Sequence, residues 1–335
     1  MATIRDIAAE ARLSIGTVSK ILNGKRKGGR SDVIRNAQRV YAIAQRLNFR
    51  PNAAARALVR RRSSMVGILL RNTQAHRFHF LAAFELILGM NERLQSAGYL
   101  TTLLRVGDIA GKDREVPRIF QEKLIDGLII ISGMPPDIVA KIETFFEQAI
   151  WVESSVWHPN NCIRRDEVAT GELVAQALLD AGCRHLLWVG PPPVASSHFS
   201  VAQRLEGARR TAHVAQVPME IHEPEDPYII SEELVRGLTP RTGVIAYNSL
   251  IAQALANQAG RFGKNAGRDF GLVSCDSEAD GAVTFPQLSR AEFDRFGMGV
   301  AAAEMFLRMQ SGLIKKRASQ LVSSQWIAGT TLGLY

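Results

Sequence analysis

The 335-residue chain has no uninterrupted apolar stretch of the about 18 residues that a membrane-spanning helix needs. Its N-terminus lacks an apolar segment ahead of a small-residue cleavage site, which argues against a secretory leader. Cysteine is scarce. Cys162, Cys183 and Cys275 are odd in number and far apart, so they form neither a disulfide framework nor a zinc pattern, and the expectation is a cytoplasmic protein. Catalytic signatures are missing as well. There is no Gly-x-Ser-x-Gly, no phosphate-binding P-loop, no His-Glu-x-x-His and no glycine-rich dinucleotide turn after a strand. The "GPPP" at 190–193 is a rigid turn whose prolines lack the N–H groups of a phosphate cradle. These absences predict a protein that is not an enzyme and uses no cofactor.

What is present is ordinary in bulk and uneven in distribution. With 46% hydrophobic and 22% charged residues the chain can form two or three domains with sizeable cores. The net charge is +9, but residues 1–62 alone carry fifteen Lys and Arg against three acids, a net of +12. The remainder is slightly acidic. A basic head on a nearly neutral body is the electrostatic footprint of nucleic-acid binding.

The head reads as three helices. The first begins after Thr3, with Asp6 three residues on, and turns Ile4, Ile7, Ala8 and Ala11 inward. After a break at Arg12-Leu13, Ser14 caps a second helix that runs to about Leu22, with Val18, Ile21 and Leu22 at helical spacing. Asn23-Gly24 ends it. The third runs from Ser31 to Leu47, with Val33, Ala37, Val40, Ala44 and Leu47 on one face. Two short helices with a tight turn and a longer brace form a helix-turn-helix, whose second helix enters the major groove. Gly16 and Lys20 then lie on the face that meets the bases.

Residues 3–24, "TIRDIAAEARLSIGTVSKILNG", and 48–70, "NFRPNAAARALVRRRSSMVGILL", resemble the LacI/GalR family of bacterial transcriptional repressors, and the resemblance extends over essentially the whole chain. It implies a helix-turn-helix head at 1–50, a hinge helix and linker at 51–62, and a two-lobed, periplasmic-binding-protein-like α/β core at 63–335 that binds effector and dimerises. Ile15, Gly16 and Lys20 fall on the family's base-reading positions. Thr3, Ser14, Thr17, Ser19 and Asn23 fall on its phosphate contacts, which position without reading sequence. Asn52, Ala55, Arg56 and Leu58 match the hinge in the minor groove, with Leu58 as the wedge between base pairs. Two departures stand out. Lys20 replaces the more usual arginine, so a point charge replaces a bidentate fork. The segment around "GKRKGGR" is longer than the family pattern.

Beyond residue 62, continuous apolar runs alternate with helical stretches: "MVGILL" (65–70), "LTTLL" (100–104), "GLIII" (127–131), "AIWV" (149–152), "HLLWVG" (185–190), "GVIAY" (243–247) and "GLVSC" (271–275). Such strands indicate parallel sheets covered on both faces, and two series imply two lobes. By resemblance, Arg204, Asn248, Asp276 and Asp166 face the effector, with Phe78 lining the cleft. An arginine, an amide and carboxylates supply the donors and acceptors a polyol needs. Ser249 and Ser277 stand where the family usually has aspartate, and the loop "RNTQAHRFHF" (71–80) is longer than the pattern. His76 and His79 in that loop have no neighbouring carboxylate or cysteine and read as a surface pair rather than a metal site.

After Trp326 nine residues remain, without the heptad tail that makes some members tetramers, so a homodimer is expected. The function implied is a repressor of carbohydrate genes that binds a pseudo-palindromic operator and responds to a sugar or related metabolite. A sugar receptor without a transcriptional role, or a sugar-processing enzyme on the same core, is the alternative. The +12 head speaks against the first, and the missing catalytic constellation against the second.

Overall fold

The computed structural model describes all residues except 1, 24–30, 51–61, 71–78, 106–121, 123, 195–197, 225, 227, 278–286, 313–315 and 334–335. Phe78, the long segment at 24–30 and the hinge residues Asn52, Ala55, Arg56 and Leu58 therefore lie outside the described residues. The chain divides into two compact units, 1–63 and 64–335.

In the first unit, helices α1 (Ile4–Ala11), α2 (Ile15–Leu22) and α3 (Ser31–Arg46) enclose a core of Ile7, Ala8, Ala11, Val18, Ile21, Val40, Ile43 and Ala44. Thr3 and Asp6 form a reciprocal capping box, which satisfies orphan donors at the start of α1. Arg12 adopts a left-handed conformation, φ 49°, and ends that helix. Ser14 then caps α2 by accepting from the Thr17 N–H at 3.2 Å. The tight turn is thus built from a left-handed residue and a cap within three positions. Tyr41 of α3 donates to the Ile21 carbonyl at 2.9 Å and fastens the end of α2 to the brace.

The second unit holds two six-stranded sheets among its described residues. The first contains, in spatial order, β11 (Gln320–Val322), β5 (Cys162–Arg165), β4 (Ala149–Val152), β3 (Gly127–Ile131), β1 (Met65–Leu70) and β2 (Leu100–Arg105), all paired parallel. The second contains β12 (Gln325–Ile327), β10 (Ser289–Glu292), β9 (Gly271–Ser274), β8 (Thr242–Ala246), β6 (His185–Val189) and β7 (Met219–His222), parallel except for β12 against β10. The strands read from apolar runs are the central ones of each sheet and the edge strand β2. Strands β5, β7, β10, β11 and β12 carry charge or polar residues and have no continuous apolar signature, so periodicity passes over them.

Helices α4 (His79–Ser96), α5 (Pro136–Phe145) and α10 (Arg295–Gln310) cover the first sheet. Helices α6 (Glu167–Asp180), α7 (Phe199–Val214), α8 (Glu232–Gly237) and α9 (Ser249–Arg261) belong to the second. The chain passes between lobes three times: from β5 into α6, from β10 into α10, and from β11 into β12. Thr170 and Ser324, on the first and third passages, join hydroxyl to hydroxyl at 3.0 Å. Helices α6 and α7 cross through Gly171 and Gly207, each placed where a Cβ would come within 2.0 Å of the other helix's backbone. Helices α4 and α10 repeat the arrangement with Gly89 and Gly299. No helix among the described residues is long and apolar enough to cross a membrane.

Candidate functional site

The outward face of α2 is short and chemically mixed. Ile15, half exposed at 48%, stands with Gly16 and Lys20 on the solvent side, while Val18 and Ile21 are buried. A Cβ on Gly16 would meet nothing nearer than Ser14 Oγ at 4.0 Å, so packing within the head does not call for glycine there. Ser14 and Thr17 share a hydroxyl contact at 2.9 Å, and Asn23 Nδ2 donates to the Ser19 carbonyl at 2.7 Å. Thr3 and Ser14 are exposed, and Thr17, Ser19 and Asn23 half-buried. Hydroxyls and an amide therefore border the face that carries Lys20.

In the core unit, the passages between lobes converge on buried charge. Glu153 follows β4, Arg165 ends β5, Glu167 opens α6, Arg204 lies in α7, Asp276 follows β9 and Arg295 opens α10. All six are buried. Arg204 holds Glu167 with two nitrogens, at 2.6 and 2.9 Å, donates to Asp276 Oδ2 at 3.0 Å and to the Tyr247 carbonyl at 2.7 Å. Arg165 meets the same carboxylates, Glu167 at 2.9 Å and Asp276 at 2.6 Å, and also binds Glu153. Arg295 takes the second Asp276 oxygen. Arg165, Glu167, Arg204 and Asp276 thus close a ring, with Glu153 and Arg295 attached. Three positive and three negative groups cancel.

Buried ions are tolerated only when paired and hydrogen-bonded, and the titration shifts follow from that. Burial pushes the Asp276 carboxyl up, but Arg165, Arg295 and Arg204 overcome it and hold the group well below the usual carboxylate range. Burial pushes Arg204 down, and Glu167 and Asp276 more than reverse the shift. Arg204 also stacks 4.8 Å from the Tyr247 ring centroid.

His198 joins the lobes beside the ring. Its Nε2 bonds the Glu153 carbonyl of the first lobe at 2.9 Å, while Nδ1 accepts from the Ser200 N–H and caps α7. Burial pushes its pKa down to about 4; the Glu153 carbonyl and Glu167 raise it, and Arg165 and Arg204 lower it further. The folded value lies below the ordinary 6.5, so the unfolded chain takes up the proton first. The resulting stability is present above pH 6.5 and lost as pH falls through about 4. Thermal unfolding across that range should show a steeper fall for the wild type than for His198→Asn; parallel curves would contradict this role.

Of the cleft residues picked from sequence, Arg204 and Asp276 meet directly. Asn248 caps α9 by accepting from the Ile251 N–H at 3.0 Å, which leaves its Nδ2 without a partner among the described residues. Asp166 caps α6 through the Ala169 N–H at 3.1 Å. Glu153, Arg165, Glu167 and Arg295 were not among the residues expected at the cleft. Glu167 and Arg295 sit on the buried stripe of their helices, and that position was the available signal.

Residues 3–52 match the family model described as bacterial regulatory proteins, lacI family, and residues 175–332 that of a periplasmic binding protein-like domain. The chain belongs to the lacI family. The ribose operon repressor of Bacillus subtilis (strain 168) is 27% identical over 323 residues, 95% of this chain and 93% of that protein. The HTH-type transcriptional repressor PurR of Klebsiella pneumoniae (strain MGH 78578) is 25% identical over 92% of this chain and 90% of its own length. Among solved structures, the Lac repressor dimer bound to operator and the anti-inducer ONPF superposes with a TM-score of 0.76 at 20% identity, covering 99% of each chain. The lacI-family helix-turn-helix and the two-lobed core expected from the sequence are both present. This lacI-family chain is a DNA-binding transcriptional regulator with an effector-binding core.

Proposed function

We propose that the chain is a cytoplasmic, homodimeric repressor that binds a pseudo-palindromic operator and changes its grip when a sugar or related metabolite enters the seam between the lobes. It performs no catalysis. The observation that carries this reading is the outward face of α2, with Ile15, Gly16 and Lys20 exposed on a head of net charge +12. Thr3, Ser14, Thr17, Ser19 and Asn23 supply phosphate contacts around it, and Asn52, Ala55, Arg56 and Leu58 enter the adjacent minor groove. The edge strand β2 exposes Leu100 and Leu103, and helix α4 exposes Phe84 and Leu88, apolar groups available to a second copy.

The effector meets Arg204, Asp276, Asn248 and Asp166, with Phe78 against its apolar side. A polyol must exchange for bonds of the ionic ring, and because the ring lies on the passages between lobes, that exchange changes their relative positions. A ligand shifts the equilibrium only through such a difference in affinity between two arrangements. The name of the Bacillus subtilis relative supports a pentose among the candidates.

Sequencing genomic fragments retained by the full chain tests the reading, with enrichment of one inverted repeat as the expected result. Lys20→Ala should lower affinity for that repeat by about 1–3 kcal/mol and relax preference at one base pair in each half-site. Equal weakening on every sequence would make Lys20 a phosphate contact instead.

A further inference from the structure

Arg165, Arg204 and Arg295 are neutralised within the seam, but the arginine next to them is not. Successive residues of a strand project to opposite faces, and Arg164 leaves β5 on the side away from the ring. Its guanidinium carbon lies 4.3 Å from the Trp157 ring centroid and 4.7 Å from that of Phe199. Trp157 belongs to the β4–β5 connection of the first lobe and Phe199 opens α7 of the second, next to the His198–Glu153 bond that joins them. One ring from each lobe therefore packs against the cation, and its N–H groups remain for a ligand. Arg164 Nε is buried and has no acceptor. Burial lowers the pKa of the group, while Cys162, Glu153, Asp166 and Glu167 oppose this, none of the carboxylates in an ion pair with it among the described residues. The seam thus carries one uncompensated positive charge and one orphaned donor, and an orphaned buried donor costs its full desolvation.

We infer that Arg164 binds an oxyanion, a carboxylate or a phosphate, carried into the seam by an acidic or phosphorylated effector or bound beside it as free phosphate. This rests on the reading that the effector occupies the seam. A planar fork packed against two rings, with Nε unpaired, matches the chemistry of such an anion.

Calorimetric titration of the full chain with ribose, ribose 5-phosphate, glucose, gluconate and inorganic phosphate tests the inference. The charged member of a pair should bind about ten- to a hundred-fold more tightly than the neutral one, the scale of a charge-assisted hydrogen bond. Arg164→Gln should remove that preference, and Arg164→Lys should keep part of it, while both variants melt near the wild type. If ribose 5-phosphate exceeds ribose and phosphate alone, the anion belongs to the effector; if phosphate alone gives the whole effect, the anion is a separate ligand, and either result supports the site. Equal binding of charged and neutral members without phosphate binding, or a preference that survives in Arg164→Gln, overturns it. So does the absence of any anion effect, or a variant pair that loses the wild-type melting profile. Ribose 5-phosphate binding that needs Arg204 and ignores Arg164 would overturn this inference alone; operator binding blind to every bound probe would count against the effector reading itself.

Discussion

Replacing Arg204 with alanine is expected to lower stability by about 3–5 kcal/mol, the scale for breaking a buried ion pair from one side. The guanidinium holds both Glu167 oxygens and one Asp276 oxygen from a site 1% exposed. Its removal leaves Glu167 with Arg165 alone and unpairs the Tyr247 carbonyl. Asp276 still has Arg165 and Arg295, so the damage centres on Glu167. Urea unfolding at neutral pH measures the loss. Adding Glu167→Gln to Arg204→Ala should then cost less than the sum of the two single changes, by about 1–3 kcal/mol, because the orphaned carboxylate is gone. A single-variant loss below about 1 kcal/mol would place Arg204 in an exposed, screened environment that contradicts the ring. Operator binding of the surviving folded fraction should no longer respond to effector.

This result bears on what a sequence can reveal. Helices α1–α3 were legible because cap, apolar spacing and stop coincide at Thr3, Ser14 and Asn23. The central strands were legible because burial on both faces leaves runs such as "GLIII". Strand β5, "CIRR", was not, since two arginines conceal it and only the completed fold supplies their partners. Arg204 and Asp276 came from resemblance, and their direct contact came only with the structure. The buried charges do leave a local trace. Glu167 is followed by Thr170, Gly171 and Val174, and Arg295 by Met298, Gly299 and Ala302, so each charge begins an otherwise small or apolar stripe. Periodicity can say that such a charge faces inward. It cannot name a counter-ion more than a hundred residues away, as Asp276 is from Arg165. The hinge and the loop at 71–78 lie outside the described residues, so Leu58 and Phe78 stand on the resemblance.

The second large effect should come from a single methyl group. Gly171→Ala places a Cβ 2.0 Å from the Arg204 carbonyl oxygen and 2.9 Å from Ala208 N, and both obstacles are backbone. No side-chain rotation relieves such a contact, so α6 and α7 must separate. Overpacking of this kind costs about 1–3 kcal/mol, and rigid backbone on both sides puts the change at the upper end. The consequence reaches the site because the obstructed peptide is that of Arg204 itself. Moving it outward draws the guanidinium away from Glu167 and from the Tyr247 carbonyl, where its bonds are now 2.6 to 2.9 Å. The variant should therefore lose thermal stability and shift the effector concentration needed to change operator binding. Gly260→Ala is the matched control. That glycine is exposed near the end of α9 with nothing within 4 Å of a new Cβ, and the change should stabilise by about 0.5–1 kcal/mol through helix propensity alone. If Gly171→Ala instead melts with the wild type or responds to effector at the same concentration, the helices have room to adjust and the crossing does not set the position of Arg204.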